Sequence, residues 1–232
     1  MAERADMTNV RMAIAFLFLA STTVTAQEVT LTSKAKEIYL GAQGAEFYKD
    51  SPVVQGDLFA TWKSGIYADL WWSTAANSRL DFDKEIDLVL GYARKVGRFG
   101  VSTDVQYYFI QGIDVANVNV EAGLNGAFVR LEAYTPVQPG GPGKGLLPSA
   151  GYRGGVKLAS RLGLDAQGWL KGDTGAFGFD PAILAQGYFG FKVDVAGKTT
   201  LLAGMRLSAP ISTVHDGRKK EARWEIGFSQ GF

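Results

Sequence analysis

From Val54 to the C-terminus the chain runs as a succession of short stretches in which apolar and polar residues alternate. Period-two alternation is the mark of strands with one greasy and one polar face. In Val54–Ser64, Leu58, Ala60 and Trp62 share one face, opposed by Asp57, Phe59, Thr61 and Lys63. Ile66, Ala68, Leu70 and Trp72 then oppose Tyr67, Asp69, Trp71 and Ser73, and Ile86, Leu88, Leu90 and Tyr92 oppose Glu85, Asp87 and Val89. The alternation continues through Phe99–Phe109, Val118–Ala122, Val129–Ala133, Tyr152–Leu158, Leu164–Leu170, Ala185–Val195 and Leu201–Leu207. The last run has Ala222, Trp224, Ile226 and Phe228 on one face, with Arg223, Glu225, Gly227 and Ser229 on the other, and the chain ends on Phe232. Before Val54, Val29/Leu31 and Ile38/Leu40 are out of phase, so the first strand is expected to hold a bulge or to begin late.

The connections predict the architecture. Long ones at 42–53, 75–83, 135–149, 172–182 and 209–220, with a medium one near 111–115, alternate with short turns at 64–65, 95–97, 125–126, near 162 and at 197. Asn125-Gly126 is a strong type I′ hairpin signal. Pro136–Pro148, the segment richest in Pro and Gly, reads as loop. From Val54 onward the apolar face carries no charge in mid-strand, whereas nearly every opposite face carries one. Apolar-out, polar-in strands joined by turns that are short on one side and long on the other describe a transmembrane antiparallel up-and-down β-barrel. The expected fold is therefore all-β, with about 12 strands and both ends on the side of the short turns.

Composition sharpens this picture. The 232 residues suit a single all-β barrel. Mean hydropathy is near zero (+0.01), the average of a lipid face and a wet lumen. Net charge is +1, which argues against a nucleic-acid partner. The absence of Cys excludes disulfides, thiolate metal sites, cysteine nucleophiles and a lipoprotein anchor. At the N-terminus, Arg4 and Arg11, the apolar run Met12–Ala20 and the small-residue site Val24-Thr25-Ala26 read as a secretory signal peptide. The apolar run is shorter than the roughly 20 residues needed to cross a bilayer. Cleavage after Ala26 would leave 27–232 as the barrel, exported through the inner membrane to the cell outer membrane.

Candidate chemistry sits on the polar face. Lys63, Asp69, Glu85, Asp87, Asp104, Arg130, Glu132, Arg153, Lys157, Lys192 and Arg206 are pore-lining candidates, joined by Glu121, Asp165, Lys171, Asp194, Arg223 and Glu225. Inside a barrel they would screen ions and polar solutes as charge rings, or pair with one another and fill the bore. Twelve strands lie between barrels that side chains fill and barrels that leave a channel, so both readings stand. Acidic residues dominate strands two to six and basic ones strands eight to eleven, which would set a transverse field across the lumen if those walls face each other. Trp62, Trp71, Trp72, Tyr92 and Tyr107 read as interfacial girdle. Asp173, Asp180 and the acidic residues of Asn77–Asp83 are candidate ligands for Ca²⁺ or for cations bridging lipopolysaccharide.

No cofactor, metal centre or enzymatic function is expected. The one His, His215, stands in the last loop beside Ser212, Thr213 and Asp216. A nucleophile and base adjacent in a flexible loop lack the orientation of a catalytic pair, so His215 reads as an exposed loop residue. The run from Pro139 to Gly145 has the glycines and Lys144 of a phosphate loop but not the following Ser/Thr, strand or helix.

Several segments resemble a known family. Pro52-Val-Val-Gln-Gly-Asp57 followed by Ser64-Gly-Ile-Tyr-Ala-Asp69, then Glu85-Ile-Asp-Leu88 with Gly91-Tyr92, then Asp104 with Tyr107-Tyr108, resemble the TorF family of porins, Gram-negative outer-membrane proteins. Its early hairpin reads P-A-V/I-Q-G-G…S-G-x-Y-x-G-x-W. The likeness is clear over about 45–135 and thin over 136–220. It departs where the family's Y-R-G is Phe47-Tyr48-Lys49 and where a family Gly is Asp57. The C-terminus resembles the signal read by the outer-membrane assembly machinery, a terminal Phe with apolar residues at alternating positions before it; Gln230 is the departure. The resemblance implies a barrel acting by passive diffusion of small polar solutes or ions, with outer-membrane lipid, lipopolysaccharide and the assembly machinery as partners. It supplies no catalytic residue. The alternatives are a closed structural or adhesive barrel working through the loops at 136–149 and 172–182, an outer-membrane hydrolase, and a soluble periplasmic barrel.

Overall fold

Backbone N–H and C=O groups inside a bilayer find no water, so strands can cross only if every edge is paired. The chain meets that demand by closing twelve antiparallel strands into one barrel. The computed structural model describes residues 26–36, 39–40, 46–47, 51–75, 84–110, 113–138, 141 and 143–232. The signal segment, but for Ala26, and the acidic residues of Asn77–Asp83 lie outside the described residues. In chain order the strands are β1 (Glu28–Lys36), β2 (Val53–Thr61), β3 (Ile66–Ala75), β4 (Lys84–Val96), β5 (Phe99–Ile110), β6 (Ile113–Leu124), β7 (Ala127–Pro136), β8 (Gly145–Lys157), β9 (Leu162–Asp173), β10 (Ala182–Ala196), β11 (Thr199–Pro210) and β12 (Glu221–Gly231). Each pairs with its chain neighbours, and β12 returns to β1 in register from Thr30↔Gly231 to Lys36↔Glu225.

That last pairing explains the terminal residues. Phe228 stands between Ser33 of β1 and Leu201 of β11. The Phe232 N–H donates to the Val29 carbonyl at 2.9 Å, so the ladder runs to the last residue. Gln230, the odd residue of the closing run, is satisfied by β11 and by its own strand. The Thr199 hydroxyl donates to its side-chain oxygen, and its amide donates to the Gly231 carbonyl at 2.6 Å. At the rim, where water and lipid meet, that pairing makes a polar residue tolerable.

Alternation places the faces as the sequence pattern requires. Leu90, Val105, Val120, Val129, Leu170, Phe191, Leu201 and Ile226 are exposed on the outside. The outer aromatics gather at two levels: Trp72, Tyr107, Phe109 and Trp224 toward the long loops, and Tyr92, Phe99, Tyr152 and Phe232 toward the short turns. Trp71 is a correction, since it shares a face with Asp69 and Ser73 and points inward. Trp72 lies flat across β2, where a Cβ on Gly56 would come within 2.2 Å of its ring, so only glycine permits that packing. Asn125 and Gly126 close the β6–β7 hairpin with φ of 51° and 89°, the left-handed pair that a type I′ turn needs.

Four expectations about the connections change. β1 begins at Glu28 and keeps an unbroken register with both neighbours, so it neither bulges nor starts late. The phase break arises because Tyr39–Leu40 pairs with Glu46–Phe47 in a separate two-stranded sheet. The connection expected near 111–115 shrinks to residues 111–112, because Ile110 already pairs with Ile113. β8 starts at Gly145, inside the expected Pro/Gly loop, and Pro148 stands in the ladder opposite Leu131. Its missing N–H is a local loss, and the adjacent Leu147, fully buried inside the barrel, holds the strand by packing. Finally, β9 continues through Asp173, which lies at its inward-facing end rather than in a loop.

At the long-loop end two connections fold onto the barrel. Residues 174–181 carry one short 3₁₀ turn (Ala176–Gly178) that sets Ala176 against Val115, Tyr134 and Leu147, an apolar cluster on the interior wall. Phe177 packs edge-on to Tyr134 at 5.0 Å. Connection 211–220 is pinned by Arg218, whose side chain is 1% exposed. The guanidinium donates to Asp173 at 2.8 Å, pairs with Asp216 at 2.6 Å, donates to the Asp180 carbonyl and lies 5.2 Å from the Phe179 ring. Asp180 and Asp216 tie the same connections together through the backbone N–H groups of His215 and Asp180. Asp173 accepts the N–H groups of Gly175 and Ala176 on one oxygen and Arg218 on the other, so it is not available as a cation ligand. Among the described residues no group of three acidic or His side chains is arranged to hold a metal.

Two outcomes follow. Ile226→Arg puts a guanidinium on the lipid face of the closing strand and should destabilise the folded barrel in vesicles by about 2–4 kcal/mol, read as loss of the heat-modifiable band in urea titrations. Asp216 gives the Arg218 latch a pH dependence. Partial burial alone would raise its pKa, but the hydrogen bonds from the Arg218 side chain and from the backbone N–H groups of Arg218 and Asp180 outweigh it and hold it below the ordinary carboxylate range. A depressed carboxylate stabilises fully above its unfolded value of about 4 and loses that contribution as pH falls through the lower folded value. Protease cleavage of 211–220 should therefore be slow from neutral pH down to about 4 and rise below it, whereas Arg218→Ala should be cleaved quickly throughout.

Candidate functional site: the barrel lumen

The inward-facing residues form two levels. Nearest the long loops, Gln55 donates to Ser73 at 3.2 Å, and Val53, Val115, Tyr134, Leu147 and Leu184 are buried. This half of the interior is filled by its own side chains: Asn117, Glu132, Lys171 and Ser208 are all nearly inaccessible. Toward the short turns the interior opens. A cavity of about 450 Å³ lies among Phe59, Tyr67, Asp104, Asn119, Glu121, Arg130 and Arg153. It shares Ala93, Ser102, Glu121 and Arg153 with a second cavity of about 590 Å³ that extends to the β4–β5 and β6–β7 turns.

Tyrosine rings are laid flat against this wall over glycines. A Cβ on Gly91 would come within 2.2 Å of the Tyr67 ring, and Tyr188 covers Gly190 and Gly204 in the same way. From there the Tyr67 hydroxyl donates to Asp104 at 2.8 Å. Side-chain amides of Gln106 and Asn119 supply Asp104's other oxygen at 2.9 and 2.6 Å, so this carboxylate is fully engaged.

Most of the interior charged residues fall into four sets. Glu225 accepts three cations at once, Lys34 at 3.0 Å, Lys36 at 3.4 Å and Arg206 at 2.8 Å. Lys34 and Arg206 also flank the Tyr188 ring, at 6.0 and 5.7 Å. Glu132 joins Lys171 at 3.0 Å and Arg130 at 3.5 Å, and receives the Tyr134 hydroxyl at 2.8 Å. Toward the short turns, Arg153 pairs with Glu121 at 2.6 Å and Lys192 with Asp165 at 3.0 Å. The fourth set, Asp57, Asp69, Glu85 and Asp87 on β2–β4, is purely acidic. One oxygen each of Asp69 and Asp87 is buried without a hydrogen-bond partner among the described residues.

Of the eleven residues singled out from the sequence, Asp69, Glu85, Asp87, Asp104, Arg130, Glu132, Arg153, Lys192 and Arg206 face the interior. Lys63 sits in the β2–β3 turn and Lys157 at the exposed end of β8, both at the rim. The acidic wall stands on β2–β4. The cations are spread on both sides of it in the ring, with Lys34 and Lys36 on the adjoining β1 and Lys171 on β9, opposite β3. Charge is thus segregated around the lumen, but most of the basic side is neutralised locally. Sequence reasoning passed over Arg218 and the Tyr134–Phe177 cluster, since both depend on how two long connections fold back. It also passed over Lys34 and Lys36, whose inward parity is evident only once β1 is seen to begin at Glu28. His215 is exposed, with its backbone N–H bonded to Asp180.

No known family profile and no curated protein matches the sequence. Among solved structures the fold is similar to the NanC porin, at 10% sequence identity and a TM-score of 0.60, over 87% of this chain and 98% of that one. It is also similar to the KdgM porin, at 9% identity and a TM-score of 0.58, over 88% of this chain and 99% of that one. KdgM in complex with disordered oligogalacturonate superposes at 8% identity and a TM-score of 0.54, over 88% and 99%. Identity this low carries the fold alone: the chain has the closed twelve-strand architecture of outer-membrane porins.

Proposed function

We propose that this protein is an outer-membrane porin that lets small polar solutes or ions cross by passive diffusion, and that it belongs with the TorF family its early strands resemble. The observation carrying this reading is the division of the barrel wall: apolar residues outside, and inside ion pairs and hydrogen-bonding side chains that lead from the Val115–Leu147 cluster into the cavities by the short turns. The porin neighbours support the same class. In this reading the nine interior charged residues named above line the solute path, while Lys63 and Lys157 stand at its periplasmic mouth. The long loops face outward toward lipopolysaccharide, Trp224, Ile226 and Phe228 face lipid, and the strand ending in Phe232 is what the assembly machinery engages after export by the signal peptide. We read the chain as having no enzymatic role. His215 is exposed in a connection, and its neighbour Ser212 is engaged as an acceptor for the Ile183 N–H.

A second reading, a closed barrel working through its loops, draws on the packed long-loop half of the interior and the Arg218 latch above it. Liposome swelling separates the two. The porin reading predicts that vesicles containing refolded protein swell in small sugars and amino acids, and that Arg218→Ala, by freeing 211–220, raises the rate several-fold. Vesicles that stay shut with both proteins would favour the closed barrel.

A further inference from the structure

The two cavities toward the short turns are lined by an unbalanced set of charges. Four cations, Lys95, Arg98, Arg130 and Arg153, face only two carboxylates, Asp104 and Glu121. Both carboxylates are already committed. Asp104 accepts Tyr67, Gln106 and Asn119, and Glu121 accepts Arg153. One of the cations is held in place beforehand. The Arg153 guanidinium lies 4.2 Å from the centre of the Phe128 ring while Glu121 fixes one end of it. Arg130 lines the smaller cavity beside Glu132, its Nε 3.5 Å from that carboxylate. Lys95 and Arg98 form no ion pair among the described residues and stand at the mouth of the larger cavity.

Guanidinium groups with free, oriented N–H pairs are geometrically matched to the paired oxygens of phosphate. Part of the ordering cost of binding is met in advance where stacking and an ion pair already fix the side chain. We propose that this vestibule is a binding site for a small multivalent phosphate-type oxyanion, with Arg130 and Arg153 as direct ligands and Lys95 and Arg98 as the electrostatic collar that draws it in. The occupant is a water-soluble solute rather than a lipid headgroup, because Asp104, Asn119, Glu121, Arg130 and Arg153 all face the lumen and not the lipid side. The site stands on this lining whether or not the barrel conducts.

The test is isothermal titration of refolded barrel in a zwitterionic detergent with inorganic pyrophosphate at low salt. The expected result is one site per chain whose affinity falls at least tenfold in Arg130→Gln, and falls with rising salt more steeply in the wild type than in the double variant Lys95→Gln/Arg98→Gln. Lys219→Gln, at the opposite end of the barrel, should bind as the wild type does. Heat-modifiable migration of each variant checks that it has folded, and Arg130→Lys, which keeps the charge but loses the fork, should recover only part of the affinity. No saturable heat in the wild type, or equal weakening by Lys219→Gln, would overturn the proposal. A wild type that binds pyrophosphate but leaves vesicles shut would retain the site and reject the porin reading.

Discussion

Everything in this molecule depends on the seam between β1 and β12. Eleven hairpin-type pairings assemble themselves locally, since each strand meets the one just before it in sequence. The twelfth joins residues almost two hundred positions apart, and until it forms two strand edges stand open in a medium that cannot solvate them. The register from Thr30↔Gly231 to Lys36↔Glu225 removes those edges, and it does so with side chains as well as backbone. Inside the barrel, Glu225 on the last strand holds Lys34 and Lys36 on the first together with Arg206 on β11. Outside it, Trp224, Ile226 and Phe228 offer the lipid a smooth face across the join. The same strand therefore closes the ladder, carries the anion around which three cations of the lumen are organised, and completes the outer surface.

With the wall closed, the interior divides by depth. Near the long loops, tyrosine, leucine and paired charges pack to near inaccessibility, and two connections fold onto them, one inserting Ala176 and Phe177 and the other held by the buried Arg218. Near the short turns, rings lie flat on glycines and leave space. Breaking a buried pair typically costs several kcal/mol, because it strands a charge rather than because the pair itself is strongly favourable. Arg218 is thus a lock whose removal acts mainly through Asp173, left buried without its cation. The asymmetry gives the barrel a filled half at the long loops and a hollow, positively charged half at the short turns.

Much of this was legible in the amino-acid sequence, for a definite reason. A barrel wall has one rule, in for polar and out for apolar, and a strict period of two reports it directly. The parity of Leu90, Asp104, Arg130, Ile226 and their neighbours could be read from spacing, as could the Asn125-Gly126 turn and the twelve-strand count. Failures occurred where a local signal competed with tertiary packing. Pro148 reads as loop because proline cannot donate in a ladder, yet Leu147 beside it is buried and keeps the strand. Leu40 blurred the first strand because it belongs to another sheet. Trp71 reads as girdle by residue type, although its parity places it inside. The Arg218 latch had no local signal, since it brings together Asp173 at the end of β9 with Asp180 and Asp216 from two separate connections.

The measurement that bears most directly on the account is single-channel recording across a planar bilayer containing the refolded protein at neutral pH. A polar lumen inside a closed twelve-strand wall predicts small, stable conductance steps that appear only with folded protein and grow when Arg218→Ala frees the connection at 211–220. Silent bilayers with both proteins, under conditions where folding and insertion are verified, would contradict it.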